Sequence, residues 1–391
     1  MNQNKEVPSL TSVFLRGTLL ITFVSTLSIA QVVQDPVRAV VIAPGIVHTS
    51  YTKSGPYTLD VLEIDLSNPD YRIESYRPTG LVRTSQQARD NDRAGHRVIA
   101  AINADFFSFQ TGWPVGNQVV NGQFAFGTQT PRSHLAMSST GGACMERLRF
   151  KGWLRTSAGK QYDLSGVNDI HKNNAIILHT SFSDTATPFS GPGIKVLLQL
   201  VSAGWSVGDT LKLWVRSFSV EELRVLGYHE ALLWIGGGTS VWGAREDVRI
   251  GDTLLVYLGF QPDLRHIQNV VGGAGMILLN GKCVSDSVNV EERTSIAFLK
   301  SRHPRTFVAV NRDTSKLLLC TVDGRQESSM GMSFQEMSDF LLSLGAWNAI
   351  NLDGGGSTTM VINGTIVNSP SDKTGERPVA NSLQIIKLET R

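Results

Sequence analysis

The chain has 391 residues, a length that allows a large core and one to three domains. Hydrophobic residues make up 41% and charged residues 18%, proportions that exclude a largely disordered protein. The formal net charge is +2, with acidic and basic residues interspersed, so the composition favours neither nucleic acid nor a charged membrane as a partner.

Residues 1–30 have the layout of a secretory signal peptide. Lys5 and Arg16 precede the apolar run 19–24, and Ser28-Ile29-Ala30 supplies a small-residue cleavage site. An uncleaved membrane anchor is the alternative, but the apolar run is shorter than the about 20 residues that span a bilayer. We therefore expect cleavage after Ala30, export to the periplasm or the extracellular space, and no stable membrane insertion of the mature protein.

From Tyr57 onward, short strand patterns separated by turns predict a β-rich protein. Residues 58–66 alternate apolar and polar, and residues 98–102 form an apolar strand. The clearest helix covers residues 333–344, with a capping-box pattern at its start and Gly345 after its end. We predict an α+β fold: a β-rich mixed-sheet core with few helices, plus a β-rich insertion in the middle of the chain.

A short repeat lies within this middle region. Residues 207–211, Val-Gly-Asp-Thr-Leu, match residues 250–254, Ile-Gly-Asp-Thr-Leu. The pattern predicts two equivalent turns that each lead into a strand, with Asp209 and Asp252 as turn residues rather than functional acids.

A second repeat, Ala-Ile-Asn-x-Asp, covers residues 101–105 and 349–353. Each copy follows a helical stretch, a glycine and an apolar strand. Because side chains alternate along a strand, the Asn and Asp of each copy share a face. We expect Asp105 and Asp353 to lie beside each other at two strand ends; two Asx-turns that cap unrelated strands are the alternative.

Three glycines follow Asp353 directly, at positions 354–356, and hydroxyl residues come next. Glycines let backbone amides approach an anionic ligand closely, and hydroxyls can complete such a cradle. No lysine follows the glycines, which disfavours a nucleotide-binding P-loop. A bulged turn would explain one or two of the glycines, but not all three.

Charged residues recur near strand ends in the last third of the chain. Arg305 precedes an apolar strand, and the planar fork of arginine suits phosphate or carboxylate. Asp323 and Arg325 follow another strand, and Glu376 and Arg377 lie in a polar loop before the last strand. Ordinary turns and a solvated loop are the alternatives.

Taken in chain order, these motifs resemble the phosphodiester glycosidase family. The similarity spans roughly residues 57–388, is close after Gly272 and is looser between residues 127 and 268. The Asn103-Ala104-Asp105-Phe106 segment departs from the more frequent Asn-Gly-x-Phe of the family. The matching pieces are residues 101–107, 269–275, 279–281, 304–306, 321–325, 331–333, 351–360 and 370–381.

The resemblance implies four parts of the chain. These are the signal peptide at 1–30, an amino-terminal part of the phosphodiester glycosidase domain at 31–127, the β-rich insertion at 128–268, and a carboxyl-terminal catalytic part of the same domain at 269–391. It also implies an exported hydrolase that cleaves a sugar-1-phosphodiester on the sugar side and releases a reducing sugar and a phosphomonoester. Its substrate would be a carbohydrate or phosphoglycan of the cell envelope or the extracellular space.

The implied chemistry needs a carboxylate that faces the positive charge of a glycosyl transition state, and glycosidases commonly use two acids. Asp353 is the expected principal carboxylate, with Glu376 and Asp105 as candidates for the second. His303 is available for acid–base work, although a lone histidine beside proline is more often structural.

The phosphate would be held by arginine and by backbone amides. The candidates for this and for further substrate contacts are Asn103, Arg305, Thr306, Asp323, Arg325, Asn351, Gly354, Gly355, Gly356, Ser357, Thr358, Arg377 and Asn381.

Two other classes of function stay open on the residues alone. One is a non-catalytic module that binds phosphoglycans. The other is a metal-dependent phosphodiesterase that cuts the P–O bond, in which Asp105, Asp323 and Asp353 would bind a divalent cation. The glycosidase hypothesis itself requires no cofactor. The sequence indicates no oligomeric state.

Overall fold

The computed structural model describes residues 38–53, 55–170, 172–183, 193–218 and 225–388. The predicted signal peptide, residues 1–30, lies outside the described residues. Strands make up 48% and helices 12%, so the predicted strand-rich fold class with few helices is confirmed.

The strands are numbered in chain order. The first nine are β1 (Arg38–Ala43), β2 (Ile46–Lys53), β3 (Tyr57–Asp65), β4 (Tyr71–Tyr76), β5 (Val82–Arg83), β6 (His96–Asn103), β7 (Gln118–Val120), β8 (Gln123–Phe126) and β9 (Arg132–Ser138). The next nine are β10 (Ala143–Arg155), β11 (Gln161–Leu164), β12 (Gly166–Val167), β13 (Ile176–His179), β14 (Gly193–Leu200), β15 (Thr210–Ser217), β16 (Glu230–Gly236), β17 (Thr253–Gln261) and β18 (Ile267–Gly272). The last nine are β19 (Met276–Leu279), β20 (Lys282–Cys283), β21 (Arg305–Val310), β22 (Lys316–Val322), β23 (Asn348–Asn351), β24 (Met360–Ile362), β25 (Thr365–Ile366), β26 (Pro378–Val379) and β27 (Ser382–Leu388).

The helices are α1 (Thr84–Asn91), α2 (Trp242–Asp247), α3 (Ser285–Glu291), α4 (Ile296–Lys300) and α5 (Phe334–Ser343). Two short 3₁₀ turns cover Thr239–Val241 and Gly355–Ser357.

The predicted helix is α5, and its ends follow the sequence signals. The Ser333 hydroxyl accepts a hydrogen bond from the Glu336 amide, and the Glu336 carboxylate accepts one from the Ser333 amide at 2.9 Å. Gly345 ends the helix with a φ of +77°, a conformation that costs glycine little. The face that carries Phe340 is buried in the core, where one such side chain contributes about 1.5–3 kcal/mol.

Two sheets carry the repeated Ala-Ile-Asn-x-Asp motifs. The eight-stranded sheet has the order β1-β2-β3-β22-β21-β23-β19-β20, and the five-stranded sheet has the order β25-β24-β6-β27-β4. The first copy of the motif runs out of β6, whose last residue Asn103 is paired with Ser382 of β27. The second copy runs out of β23, whose Asn351 is paired with Phe307 of β21.

The twelve-stranded sheet has the order β12-β13-β16-β14-β15-β17-β10-β9-β18-β7-β8, with β11 paired to β10. It buries a separate apolar core. The predicted insertion, 128–268, contains β9 to β17, whereas β7, β8 and most of β18 lie outside those bounds; the domain bounds stay a prediction. The two predicted turns before β15 and β17 are present, with φ values of +85° at Gly208 and +88° at Gly251.

No helix within the described ranges is long and apolar enough to cross a membrane. Within the same ranges, no group of three or more His, Cys, Asp or Glu side chains is arranged to hold a metal ion.

Candidate active site

The two Asn-x-Asp segments meet where β6 and β23 end. The Asp353 amide donates a hydrogen bond to the Ala104 carbonyl at 2.8 Å. The Asn103 side-chain amide donates to the Asp353 carbonyl at 2.6 Å. The structure therefore brings the two predicted motifs together, although their strands belong to different sheets.

Asn103 has no exposed surface and acts as a cross-link behind Asp353. Its Oδ1 accepts hydrogen bonds from the Thr306 hydroxyl at 2.7 Å and from the Thr359 amide at 3.0 Å. Both Asn103 and Thr306 were predicted to contact substrate. The structure instead places them under the site, where they fix the backbone that carries Asp353.

Asn351 and Asn381 are also fully buried. The Asn351 side-chain amide donates to the carbonyls of Ala274 at 3.1 Å and Leu352 at 2.7 Å. The Asn381 Oδ1 accepts a hydrogen bond from the Asp105 amide at 2.9 Å. These two predicted substrate-binding residues thus hold the loops around the two aspartates.

Asp353 borders a cavity of about 260 Å³. The cavity combines a carboxylate, cationic side chains and two aromatic rings, so charged and apolar contacts converge at one place. It is lined by Phe106, Phe298, His303, Pro304, Arg305, Arg325, Asp353, Gly354, Gly355, Gly356 and Arg377.

Burial raises the pKa of Asp353 to about 6. The nearby Ser357 hydroxyl, the Gly354 amide and the positive charge of Arg377 act in the opposite direction. The carboxyl group is therefore mostly ionised at neutral pH and can face a developing positive charge. Ser357 and Thr358, both predicted to bind substrate, are buried. The Thr358 hydroxyl has no hydrogen-bond partner among the described residues, whereas the Ser357 hydroxyl is close enough to Asp353 to lower its pKa.

Asp105 lies behind the cavity and is 1% exposed. Burial raises its pKa to about 7; the Arg132 charge and the Gly116 amide, 2.8 Å from Oδ2, lower it, and the Asp353 charge raises it. Its Oδ1 is buried without a hydrogen-bond partner in the described part of the chain. Asp105 thus retains a proton over a pH range in which Asp353 has lost one.

The glycines that house Asp105 come from distant parts of the chain. A Cβ atom on Gly116 would lie 2.8 Å from the Asp105 carboxylate, and a Cβ atom on Gly272 would overlap the same oxygen. Gly272 lies 167 positions after Asp105 in the sequence, so no local pattern indicates that it packs against this carboxylate.

The glycines after Asp353 serve the geometry of the turn more than an anion. The Gly354 amide donates to the Asp353 carboxylate at 2.9 Å, and the Gly355 amide donates to the Pro304 carbonyl at 2.9 Å. A Cβ atom on Gly354 would lie 2.6 Å from the same Pro304 carbonyl, and Gly355 has a φ of +64°. The structure therefore corrects the predicted anion-binding role of the Gly354 and Gly355 amides, because both already donate hydrogen bonds within the protein.

Arg325 is exposed and, alone among the three arginines of the cavity, has neither a hydrogen-bond nor an ion-pair partner among the described residues. Its φ of +60° is unusual for a residue with a side chain and turns it towards Gly355, where a Cβ atom would lie 3.1 Å from Nη2. Arg377, in contrast, holds Asp372 with both arms of its fork, at 2.8 and 3.0 Å.

Arg305 does not have the predicted geometry of a phosphate ligand. It is 1% exposed, and its guanidinium donates to the carbonyls of Met332, Phe298 and Ser301 at 3.1, 2.6 and 3.0 Å. The guanidinium also lies 4.4 Å from the centre of the Phe298 ring. Burial, together with the Arg325 charge, lowers the pKa of Arg305 to about 9. Arg305 therefore anchors α4 and the aromatic wall of the cavity.

Glu376 and Asp323 are likewise committed to structure. The Glu376 carboxylate accepts from the Ser85 amide at 2.7 Å and the Ser85 hydroxyl at 2.5 Å, and so caps the first turn of α1. Asp323 accepts from Asn368 at 3.0 Å and from the Ser369 amide at 2.9 Å. Neither carboxylate lines the cavity, and neither does Asp105. Asp105 follows Ala104, whose carbonyl accepts the Asp353 amide, and its pKa responds to the Asp353 charge, so the structure favours Asp105 over Glu376 as the second acid.

His303 borders the cavity, as expected of a residue available for acid–base work. Its pKa is lowered by burial first, and then by the charges of Arg305 and Arg325. The imidazole is therefore neutral at pH 7 and is a weaker proton donor than Asp105.

Three site residues escaped the sequence analysis: Phe106, Phe298 and Arg132. The rings of Phe106 and Phe298 lie 6.2 Å apart and form one wall of the cavity. The Arg132 guanidinium lies 5.8 Å from the centre of the Phe106 ring. Phe106 follows Asp105 directly and could have been selected on that ground, whereas Arg132 and Phe298 show no local signal.

Comparison with known proteins places this site in context. A family model described as phosphodiester glycosidase matches residues 236–386, which confirms the resemblance over that segment. The bovine N-acetylglucosamine-1-phosphodiester α-N-acetylglucosaminidase is 40% identical over 99 residues, 25% of this chain and 18% of that protein. An uncharacterized SPbeta prophage-derived protein of Bacillus subtilis is 38% identical over 94 residues, 24% of this chain and 14% of that protein. The matched segment thus spans less than a fifth of these relatives.

Two solved structures share the fold over most of the chain. A hypothetical protein from Synechocystis aligns with a TM-score of 0.70 and 21% identity, covering 90% of this chain and 64% of that one. A candidate exported protein from Burkholderia pseudomallei K96243 aligns with a TM-score of 0.65 and 22% identity, covering 84% of this chain and 74% of that one. At these identities the likeness concerns the fold alone.

Proposed function

We propose that this chain, whose residues 236–386 match the phosphodiester glycosidase family, is an exported hydrolase that cleaves a sugar-1-phosphodiester on the sugar side. It releases a reducing sugar and a phosphomonoester from cell-envelope or extracellular glycans. The observation that carries the proposal is the meeting of the two Asn-x-Asp segments: Asp353, with a pKa of about 6, lines the cavity, and Asp105, with a pKa of about 7, is buried next to the Ala104 carbonyl that binds the Asp353 amide. Export rests on the signal-peptide layout of residues 1–30.

Asp353 is the carboxylate that faces the sugar. Cleavage on the sugar side leaves positive charge on the anomeric carbon, and a carboxylate at the wall of the cavity stabilises that charge. The pKa of about 6 keeps Asp353 ionised at neutral pH. Phe106 and Phe298 present apolar ring surface beside it, which suits the C–H face of a sugar ring.

Asp105 is the second acid and holds the proton. A pKa of about 7 places it close to the operating pH of a general acid or base. Because it does not line the cavity, it acts on the site electrostatically: the Asp353 charge raises its pKa, and its Oδ1 has no hydrogen-bond partner among the described residues.

Arg325 is the principal phosphate ligand. Of the three arginines at the cavity, Arg305 is surrounded by carbonyl groups and Arg377 already binds Asp372. The Arg325 guanidinium has no hydrogen-bond or ion-pair partner among the described residues. A phosphate leaving group is a weak base, so a fixed positive charge stabilises its departure without a full proton transfer.

Hydrolysis in ¹⁸O-labelled water tests the proposal. With the mature protein and a methyl phosphodiester of N-acetylglucosamine 1-phosphate, label should enter the sugar hydroxyl and not the phosphate. Label in the phosphate would overturn the glycosidase assignment in favour of P–O cleavage. Binding of the phosphodiester without any release of reducing sugar would instead identify a non-catalytic phosphoglycan module.

A further inference from the structure

The outward face of β10 carries a row of cations. Alternate residues along the strand point inward to the core, as Leu148, Phe150 and Leu154 do. The residues between them are Arg149, Lys151, Trp153 and Arg155. Successive members of this row are about 6.6–6.8 Å apart along the strand.

The neighbouring strands extend the same surface. Tyr257 of β17 lies directly opposite Trp153, and Thr210 of β15 lies opposite Tyr257. Further along β15, Lys212 and Trp214 are exposed. We call the surface formed by Arg149, Lys151, Trp153, Lys212, Trp214 and Tyr257 the basic sheet face.

The cations of the basic sheet face make no direct ion pairs, although carboxylates lie among them. No ion pair joins Arg149, Lys151 or Lys212 to a carboxylate in the described part of the chain. Asp163 lies opposite Trp153 on β11, and Asp209 and Asp263 line a cavity beside Lys151; Asp263 is bound by the Tyr257 hydroxyl at 2.9 Å and by Arg265 at 3.2 Å. The cations of this surface, counted with Arg155 and Arg265, outnumber these carboxylates, and the net positive charge favours an anionic ligand.

The aromatic side chains add a second kind of contact. The rings of Trp153 and Tyr257 are parallel, 5.7 Å apart with an interplanar angle of 10°, and Arg155 lies 5.3 Å from the Trp153 ring. The two rings border a cavity of about 530 Å³ that is also lined by Lys151, Arg265 and the carboxylates Asp209 and Asp263. Ring surface beside a cation recognises a ligand that alternates sugar and anion, whereas a purely anionic ligand would need only the cations.

A chain of contacts links the row of cations to the candidate active site. Arg147, the previous outward residue of β10, is bound to Glu292 at 3.2 Å and also contacts Glu291. Glu292 accepts hydrogen bonds from the Ser133 amide at 3.0 Å and from the Gly275 amide at 3.0 Å. Ser133 follows Arg132, whose guanidinium lies over Phe106 in the cavity wall.

From this arrangement we propose that the basic sheet face binds the continuing chain of a polymeric sugar phosphate while one of its phosphodiesters occupies the cavity at Asp353. The proposal rests on the proposed function and names its substrate class: a polyanion with one phosphate per short sugar repeat. Cations at alternate strand positions meet the phosphates, and Trp153, Tyr257 and Trp214 meet the sugars.

Equilibrium binding of fluorescent poly(N-acetylglucosamine 1-phosphate) to the full chain carrying Asp353→Asn tests the proposal. The triple variant Arg149→Gln, Lys151→Gln, Lys212→Gln should raise Kd about tenfold. A matched triple on other exposed cations, Arg72→Gln, Lys282→Gln and Lys387→Gln, should leave Kd within twofold. Equal weakening by both triples would overturn the proposal, because net charge alone would then explain binding.

The sugar contacts are tested with Trp153→Ala and Trp153→Phe. The alanine variant should weaken the polymer about fivefold and leave inorganic polyphosphate unchanged, while phenylalanine retains affinity for both. Equal losses for both polyanions, or tighter binding of single-stranded DNA than of the sugar polymer, would overturn the proposal.

Failure of the proposed function remains distinguishable, because binding requires no turnover. In the otherwise unaltered chain, the Arg149, Lys151 and Lys212 triple should hydrolyse the small methyl phosphodiester with kcat/KM within twofold of the parent. A parent that binds the polymer through these cations but never releases sugar contradicts the proposed function alone. A triple that loses activity on the small diester contradicts the role of the basic sheet face.

Discussion

Asp353 and Asp105 end two copies of the same five-residue motif, yet the protein places them in different surroundings. Asp353 borders the cavity and is stabilised by its own turn, through the Gly354 amide. Asp105 is enclosed by Gly116 and Gly272, which come from elsewhere in the chain. The pKa is raised to about 6 for the first and about 7 for the second. The motif therefore supplies a carboxyl group at a strand end, whereas its surroundings decide which of the two carboxyl groups ionises first.

The largest effect is expected for Asp353, the member of the pair that lines the cavity. Asp353→Asn should lower kcat on a sugar-1-phosphodiester by roughly 10³-fold or more, because a neutral amide cannot stabilise the positive transition state. Circular dichroism and Tm should stay close to those of the parent protein. A variant with near-normal kcat would remove Asp353 from the mechanism.

Asp105→Asn should have the next largest effect, a roughly 10²-fold loss of kcat. In the parent protein, kcat/KM should rise as Asp353 ionises near pH 6 and fall as the pair loses its second proton near pH 7. The variant should lose the alkaline limb and keep the acid limb. An unchanged pH profile would show that the Asp105 carboxyl does not control the pH dependence of kcat/KM.

Two of the three arginines at the cavity, Arg325 and Arg305, should differ in whether they affect substrate binding or stability. Arg325→Gln should raise KM about tenfold with Tm unchanged, because an exposed phosphate ligand is removed. Arg305→Lys should lower Tm with little change in KM, because a lysine cannot serve the three carbonyls around the guanidinium. The reverse pattern would restore Arg305 as the phosphate ligand.

The buried Asp105 carboxyl should also make stability depend on pH. The pKa of Asp105 is raised in the folded state, so its contribution to stability is fully present below the unfolded value near 3.8 and is lost as the pH rises through about 7. Asp105→Asn removes that loss, so its Tm should exceed that of the parent by about 2–4 °C at pH 8 and match it near pH 4. Thermal unfolding at both pH values provides the check.

The smallest effect is expected for Glu376, whose carboxylate caps α1 and does not line the cavity. Glu376→Gln should cost about 1 kcal/mol of stability through the weakened cap on α1, with kcat within twofold of the parent. A large loss of kcat at unchanged stability would return Glu376 to the catalytic candidates.

The centre of the site could be predicted because its signals are local. The repeated Asn-x-Asp ends, the glycines after Asp353 and the α5 capping box each occupy a few consecutive residues. The roles of Arg305 and Glu376 could not be predicted in the same way. Each has the right chemistry near a strand end, but the fold commits it elsewhere: Glu376 to Ser85, which is 291 positions away, and Arg305 to backbone carbonyls, which leave no pattern in the sequence.

The twelve-stranded sheet shows the same limit at a larger scale. Alternation predicted strands such as β15, but β10 lies between β9 and β17, and β14 lies between β15 and β16. Such pairings depend on packing across the whole region. Arg132 went unnoticed for the same reason, since its importance arises only when β9 lies near Asp105.

The position of β27 has a consequence for how the protein is made. This strand is inserted between β4 and β6, and the Asn381 side chain just before it accepts the hydrogen bond of the Asp105 amide. Ribosomes deliver a polypeptide from its amino terminus, so β6 and Asp105 emerge long before the strand that completes their sheet. The aspartate pair therefore cannot assemble on a nascent chain until nearly all of the described sequence has been synthesised, and hydrolytic activity would report directly on completed folding.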